Sequence, residues 1–295
     1  MEQRMLTRRR MMSLTASAMV GAALKARRAY GERLSEGKKS GFKIGACDWT
    51  LGKATNPASI EFAKGLGLDG VQVDFGSPEN DLPLRKPEIQ QQFLEAVKAH
   101  GVEIGSLAMG ALNQVPYKSD KRAEKWVSEA VDVCKVMGVP VVLLAFFGDG
   151  DLQGDKEGCK ATIDRLKEVA PKAEEAGVIL GVESMLNAQQ HMDILERVGS
   201  PAVKVYYDVG NMQHAGYNIY DEIRFLGKNI CEFHAKDYDD LYGKGSVDFP
   251  KVRQAMDAVG YRGWLQIEGV KMPLGLEESV RYDVEYLRSV FPREV

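Results

Sequence analysis

From Gly41 onward the chain repeats one theme. Apolar runs at 42–48 (FKIGACD), 70–75 (GVQVDF), 102–109 (VEIGSLAM), 139–147 (VPVVLLAFF), 178–184 (VILGVES), 203–208 (VKVYYD), 230–237 (ICEFHAKD) and 263–269 (GWLQIEG) read as parallel strands buried on both faces. Amphipathic stretches separate them at 58–66, 87–99, 119–137, 157–176, 188–198, 219–227, 249–259 and 276–290, and each predicts a helix. Pro57 and Pro87 suit a first helical turn, and Ser119-Asp120 opens the stretch KRAEKWVSEAVDVCKVMG. Gly67, Gly101, Gly138 and Gly177 stand where a left-handed residue would close a helix before the next strand.

Eight strands alternating with eight helices, with no tight hairpin signal, predict an α/β fold, specifically a (β/α)8 TIM barrel over 41–295. An open doubly wound sheet is the alternative. It would place a glycine-rich phosphate turn after the first strand, where ACDWTLGKATNP stands instead. A hydrophobic content of 44% supplies ample core. The cysteines, Cys47, Cys134, Cys159 and Cys231, show no CxxC spacing, and Cys47 and Cys231 fall inside apparent strands, so they read as buried free thiols.

The first forty residues differ in kind. They carry 10 basic against 3 acidic residues, which leaves the rest of the chain at −10. Thr7-Arg8-Arg9-Arg10-Met11-Met12 precedes a mild apolar stretch, Ser13 to Leu24, too short to span a bilayer. This pattern predicts an N-terminal export signal of the twin-arginine type over 1–40, hence use of the twin-arginine machinery, a periplasmic or otherwise exported location, and no stable membrane insertion. Leu24-Lys25-Ala26 makes a poor cleavage site, so cleavage stays open.

The candidate chemistry sits where four strands end: Glu183, Asp208, His234 and Glu268. A charged group at the C-terminal end of a buried strand is costly without a partner. Four of them on consecutive strands converge on one rim of a barrel, and a shared divalent cation explains all four together. Three carboxylates and an imidazole form a hard, anionic donor set. It suits Mn²⁺ best, with Co²⁺, Mg²⁺ and Zn²⁺ as alternatives.

GVES, YYDVGN, EFHAKD, GKGSVDFPKV and GWLQIEG resemble the sugar phosphate isomerase/epimerase family, the xylose-isomerase-like barrels, over nearly all of 41–295. The resemblance implies that Glu183, Asp208, His234 and Glu268, at the ends of strands 5 to 8, bind one divalent metal. It further implies that Glu183 and Glu268 exchange a proton with a sugar through an enediolate, one removing it and the other returning it, and that the protein is a homo-oligomer. Trp49, at the end of strand 1, could stack on a sugar face, and Asp74 ends strand 2. Asn211 stands where family members often place a histidine. Lys236 and Asp237 precede a stretch, DYDDLYGKG, that lacks the arginine ketose 3-epimerases often offer there. These five are the candidate substrate contacts.

The expected substrate is a non-phosphorylated sugar or keto-sugar, because Lys236 and Lys244 are the only bases among several aspartates beyond strand 7. A β-eliminating lyase of 3-keto-glycosides would use the same metal and bases and is the alternative. A non-catalytic sugar-binding barrel is the further one. Nucleic acid is not an expected partner: the barrel carries −10 and the chain holds four histidines in total, too few for the histidine-rich metal cluster of abasic-site nucleases in this superfamily.

Overall fold

The computed structural model describes residues 41–269 and 271–293. Eight parallel strands follow one another around a closed barrel, each hydrogen-bonded to its neighbours in chain order, with β8 returning to β1. They are β1 (Lys43–Cys47), β2 (Gly70–Asp74), β3 (Glu103–Met109), β4 (Val141–Phe146), β5 (Ile179–Ser184), β6 (Val203–Asp208), β7 (Ile230–Ala235) and β8 (Trp264–Ile267). All eight lie inside the apolar runs that predicted them. Closure excludes the open sheet. The expected export signal lies outside the described residues.

Among the described residues the helices are α1 (Ala58–Gly65), α2 (Pro87–His100), α3 (Lys121–Met137), α4 (Lys156–Ala176), α5 (Ala188–Val198), α6 (Val209–His214), α7 (Ile219–Leu226), α8 (Phe249–Ala258) and α9 (Leu276–Val290). Eight match the amphipathic stretches; α6 was not expected. The side chain of Asp120 caps α3 by accepting from Arg122 N, and Gly138 closes the same helix at φ 69° with its amide on Cys134 O. A side chain at that φ would be strained.

Two cores result. The larger fills the space between barrel and helices, with Ile44, Val71, Leu107, Leu144, Leu180, Val205 and Phe233 pointing outward from their strands. Inside the barrel the period of two puts the opposite set of side chains. One half of that interior is apolar, built from Ala108, Val141, Leu143, Ala145, Ile179 and Tyr206. The other half is polar and buried: Gln72, Ser106, Glu232, His234 and Gln266. Gln266 fits because β1 and β3 carry Gly45 and Gly105, where a Cβ would collide with its amide. Cys47 is buried, Cys231 is half-buried, and both are free thiols.

Candidate active site

The same alternation that buries Gly181, Tyr206, Glu232 and Gln266 brings the residues two positions on to the C-terminal mouth, facing inward: Glu183, Asp208, His234 and Glu268. One ligand atom from each lies within 4.8 Å of every other. His234 Nδ1 stands 2.9 Å from Glu183 Oε1, 3.5 Å from Glu268 Oε2 and 3.7 Å from Asp208 Oδ2.

Each carboxylate is held in its own way. Asp208 ends β6 and caps α6, its Oδ1 accepting from Asn211 N at 2.8 Å. Its Oδ2 is buried and accepts no hydrogen bond. Glu268 is gripped on both oxygens, Oε1 by Trp49 Nε1 at 3.1 Å and Oε2 by Lys236 Nζ at 2.7 Å. Glu183 faces the imidazole alone of the site's cationic groups.

The electrostatics follow. Burial raises the Glu183 pKa, and His234 offsets this only in part. Burial acts the same way on Glu268, but His234 and Lys236 outweigh it and hold that carboxylate below its usual range. Burial disfavours charge on His234, yet Cys47, Glu183, Glu268 and Asp208 around it hold its pKa well above the ordinary value. Lys236 behaves likewise, kept charged by Asp208 and Glu268 despite its burial.

His234 reaches the rest of the interior through its other nitrogen. Nε2 lies 2.7 Å from Gln72 Oε1, and Gln72 Nε2 donates to Ser106 Oγ and Tyr206 OH, each at 3.0 Å. With both ends of the amide assigned, Gln72 Oε1 can only accept. Nε2 of His234 therefore carries a proton, and Nδ1 is the atom offered to the carboxylates. A divalent cation fits this set: hard donors of the right kind, a buried oxygen on Asp208 that accepts no hydrogen bond, and an imidazole whose tautomer is fixed from behind.

Above the four lies a cavity of about 420 Å³. Glu183, Glu268, Asn211, Lys236 and Tyr238 line it on the side of the cluster. Leu143, Ala145, Phe147, Met185 and Trp49 give it apolar walls, and Asp74, Gly110 and Asn113 close the far side. Four of the five expected substrate contacts, Trp49, Asp74, Asn211 and Lys236, are thus brought together.

Asp237 is not among them, and that expectation is corrected. It is buried, with Oδ1 accepting from Asp239 N and Oδ2 from Val247 N at 2.9 Å each, and so braces the loop after β7. Asp48, at the end of β1, does similar work by accepting from Thr55 N and Asp74 N. Gln72, Asn113 and Tyr238 were not singled out from the sequence. Tyr238 donates to Asn211 Oδ1 at 2.6 Å and packs its ring on His214, centroids 4.7 Å apart. His191, buried on α5, packs with Nε2 3.0 Å from Ser184 Oγ.

Comparison with known proteins agrees with this geometry. The chain is 27% identical over 170 residues to a 2-epi-5-epi-valiolone 7-phosphate 2-epimerase of an Actinoplanes species, covering 57% of this chain and 62% of that protein. It is 28% identical over 154 residues to a D-psicose 3-epimerase of Enterocloster bolteae, covering 49% and 50%. The match thus spans under two thirds of either relative. A D-psicose 3-epimerase structure from Clostridium cellulolyticum H10, with D-tagatose, superposes at a TM-score of 0.73 with 17% identity, over 86% of this chain and 100% of that one, and shares the fold. Residues 60–290 match the model of the xylose isomerase-like TIM barrels, and the chain belongs to that family.

Proposed function

We propose that this protein is a divalent-metal-dependent sugar epimerase or isomerase that moves a proton beside a sugar carbonyl through an enediolate. The observation that carries the reading is the convergence of Glu183 and Glu268 on opposite sides of Asp208 and His234, at the floor of a cavity with apolar walls. Glu183, Asp208, His234 and Glu268 would hold the cation, Mn²⁺ in our reading. When bound it supplies Lewis-acid polarisation of a carbonyl and its neighbouring hydroxyl, which acidifies the C–H between them.

The protein's own groups do the rest. Glu183 and Glu268 come from β5 and from just beyond β8, so they face a substrate from two directions. One takes the proton and the other returns one, which inverts a carbinol centre. Lys236 keeps Glu268 ionised and adds positive charge next to developing oxyanion character. Trp49 and Phe147 offer faces for the apolar side of a sugar ring and shield the site from water. The two aligned relatives differ in whether their named substrate carries phosphate; our reading favours a non-phosphorylated sugar or keto-sugar.

The test is deuterium incorporation from D₂O, read by mass spectrometry, with the full chain loaded with Mn²⁺ and offered ketohexoses and 3-keto-glycosides. Deuterium at a carbon beside the carbonyl, lost on chelation and lost in Glu183→Gln and Glu268→Gln, is the expected result. Exchange with release of the aglycone would mean a β-eliminating lyase. Sugar binding without exchange would mean a binding protein. Export through a twin-arginine signal completes the proposal: replacing Arg8 and Arg9 by Lys should leave the protein in the cytoplasmic fraction. Unchanged export would sink that part.

A further inference from the structure

The cavity has two ends of opposite chemistry. Strand order places β5 to β8, with the four candidate ligands, on one half of the rim, and β2 and β3 on the other. The far end is made by Asp74 at the tip of β2 and by Gly110 and Asn113 in the helical turn after β3. Gly110 has no side chain to cover Asp74 Oδ1; a Cβ there would stand 3.6 Å from that oxygen. Asn113 spends its Oδ1 on Phe147 N at 2.9 Å, which leaves its NH₂ group as a donor toward the cavity. Among the described residues lining the cavity Lys236 is the one cation, and it is engaged with Glu268 and Asp208 at the opposite end.

On the reading of this cavity as a sugar site, we infer that Asp74 is its specificity-determining residue: a hydroxyl at the end of the substrate remote from the metal donates to Asp74, the Asn113 amide donates back, and the class accepted is an uncharged sugar or glycoside rather than its phosphate ester. A carboxylate paired with an amide is a hydroxyl-recognising pair, since a hydroxyl both donates and accepts. A phosphate oxygen only accepts at full ionisation. Against Asp74 above about pH 7 it would meet a like charge in a partly desolvated place with no cation in reach. Burial lifts the Asp74 pKa to about 7, and no cation lines the wall beside it to bring it back down, so the carboxyl is ionised above that pH. A site built for phosphate would show the reverse pattern, with basic side chains or free backbone amides at that wall.

The experiment is calorimetric titration at about pH 8, where Asp74 is ionised, of the full chain, loaded with Mg²⁺, with D-fructose, D-psicose and a methyl 3-keto-glucoside, each beside its 6-phosphate. We expect a neutral member to bind at least about tenfold more tightly than its own 6-phosphate, and Asp74→Asn to weaken the neutral ligand by about tenfold, as for loss of a charge-assisted hydrogen bond. Gly110→Ala, which places a methyl over Asp74 Oδ1 without changing charge, should weaken the neutral ligand in the same direction and keep the fold. Equal or tighter binding of a 6-phosphate, no neutral member bound, or unchanged affinity in both variants would overturn the inference. Deuterium exchange run on the same samples separates this from the proton-transfer reading. Binding that follows Asp74 without exchange keeps this inference and sinks that reading, whereas exchange with a KM indifferent to Asp74→Asn does the opposite.

Discussion

Gln72 decides which nitrogen of His234 can meet a cation. Its Oε1 sits 2.7 Å from Nε2, while its own NH₂ is fixed by Ser106 and Tyr206, so Nε2 keeps a proton and Nδ1 is the nitrogen whose lone pair is left for a cation. The pair spans the barrel interior from β2 to β7, which makes the tautomer a property of the fold rather than of the mouth.

The first prediction follows from that bond. Gln72→Leu should weaken divalent-metal affinity by about 10- to 100-fold, the usual effect of losing the group that orients a ligating histidine. Gln72→Glu, which keeps an acceptor facing Nε2, should retain most of it. Metal competition titrations read both. Equal affinities in the wild type and Gln72→Leu would show that the imidazole is oriented by something else.

Metal should also stabilise the fold. Glu183, Asp208 and Glu268 crowd one another with His234 and Lys236 as their partners, and a cation relieves that repulsion only in the native state. At a free concentration of about 100 Kd the gain is about 2.7 kcal/mol, seen as a rise in Tm that chelation reverses. Asp208→Asn and His234→Ala should lose both the metal and the rise while keeping the far-UV circular dichroism of the barrel. Stoichiometric metal retained in either variant would dismiss the site as drawn.

How much of this was legible in the sequence depends on which periodicity was in force. The strands were legible because burial on both faces leaves nearly uninterrupted apolar runs, and the four candidate ligands because each is an acid or histidine at an inward position where such a run ends. Lys236 shares the phase of His234 and enters the cavity. Asp237 is one residue out of phase and turns away to brace its own loop, a distinction the strand period carries but that fades once the strand has ended. Helix α6 escaped notice because it is only six residues long and its cap is a residue already read as a candidate ligand. Asp208 does both, one oxygen capping Asn211 N and the other facing the cluster. Gln72 had no signal at all. Ser106 and Cys47 reach it from the neighbouring strands β3 and β1, but Tyr206 on β6 and His234 on β7 lie across the interior, and only closure of the barrel brings those two to it.

Acid should destabilise the fold through His191. Burial lowers its pKa from 6.5 to about 4, because the ring packs against Ser184 with no anionic partner. Above pH 6.5 neither native nor unfolded chain protonates it. Between pH 6.5 and 4 the unfolded chain takes up a proton that the native one refuses, so stability falls as pH falls, by up to about 3 kcal/mol. Urea denaturation at pH 7.5 and 5.0 tests this. His191→Gln should cost stability at pH 7.5 but show a smaller further loss at pH 5.0 than the wild type. Parallel losses in both proteins would assign the acid sensitivity elsewhere.

Gly210 is required by space, not by backbone angle. A Cβ there would lie 2.7 Å from both the Cβ and the carbonyl oxygen of Lys236 and 2.8 Å from its carbonyl carbon. Two of these three atoms are backbone, so no side-chain rotation relieves the contact. Gly210→Ala must push α6 away from the end of β7, at about 1–3 kcal/mol for an overpacked methyl. The shift acts on the site through both partners: α6 carries the amide of Asn211 that orients Asp208, and Lys236, the residue just beyond β7, holds Glu268. The variant should therefore lose stability in denaturant and metal affinity together. A loss of stability with metal affinity intact would show that the barrel absorbs the methyl without moving either residue, and that the close approach of α6 to Lys236 serves packing alone.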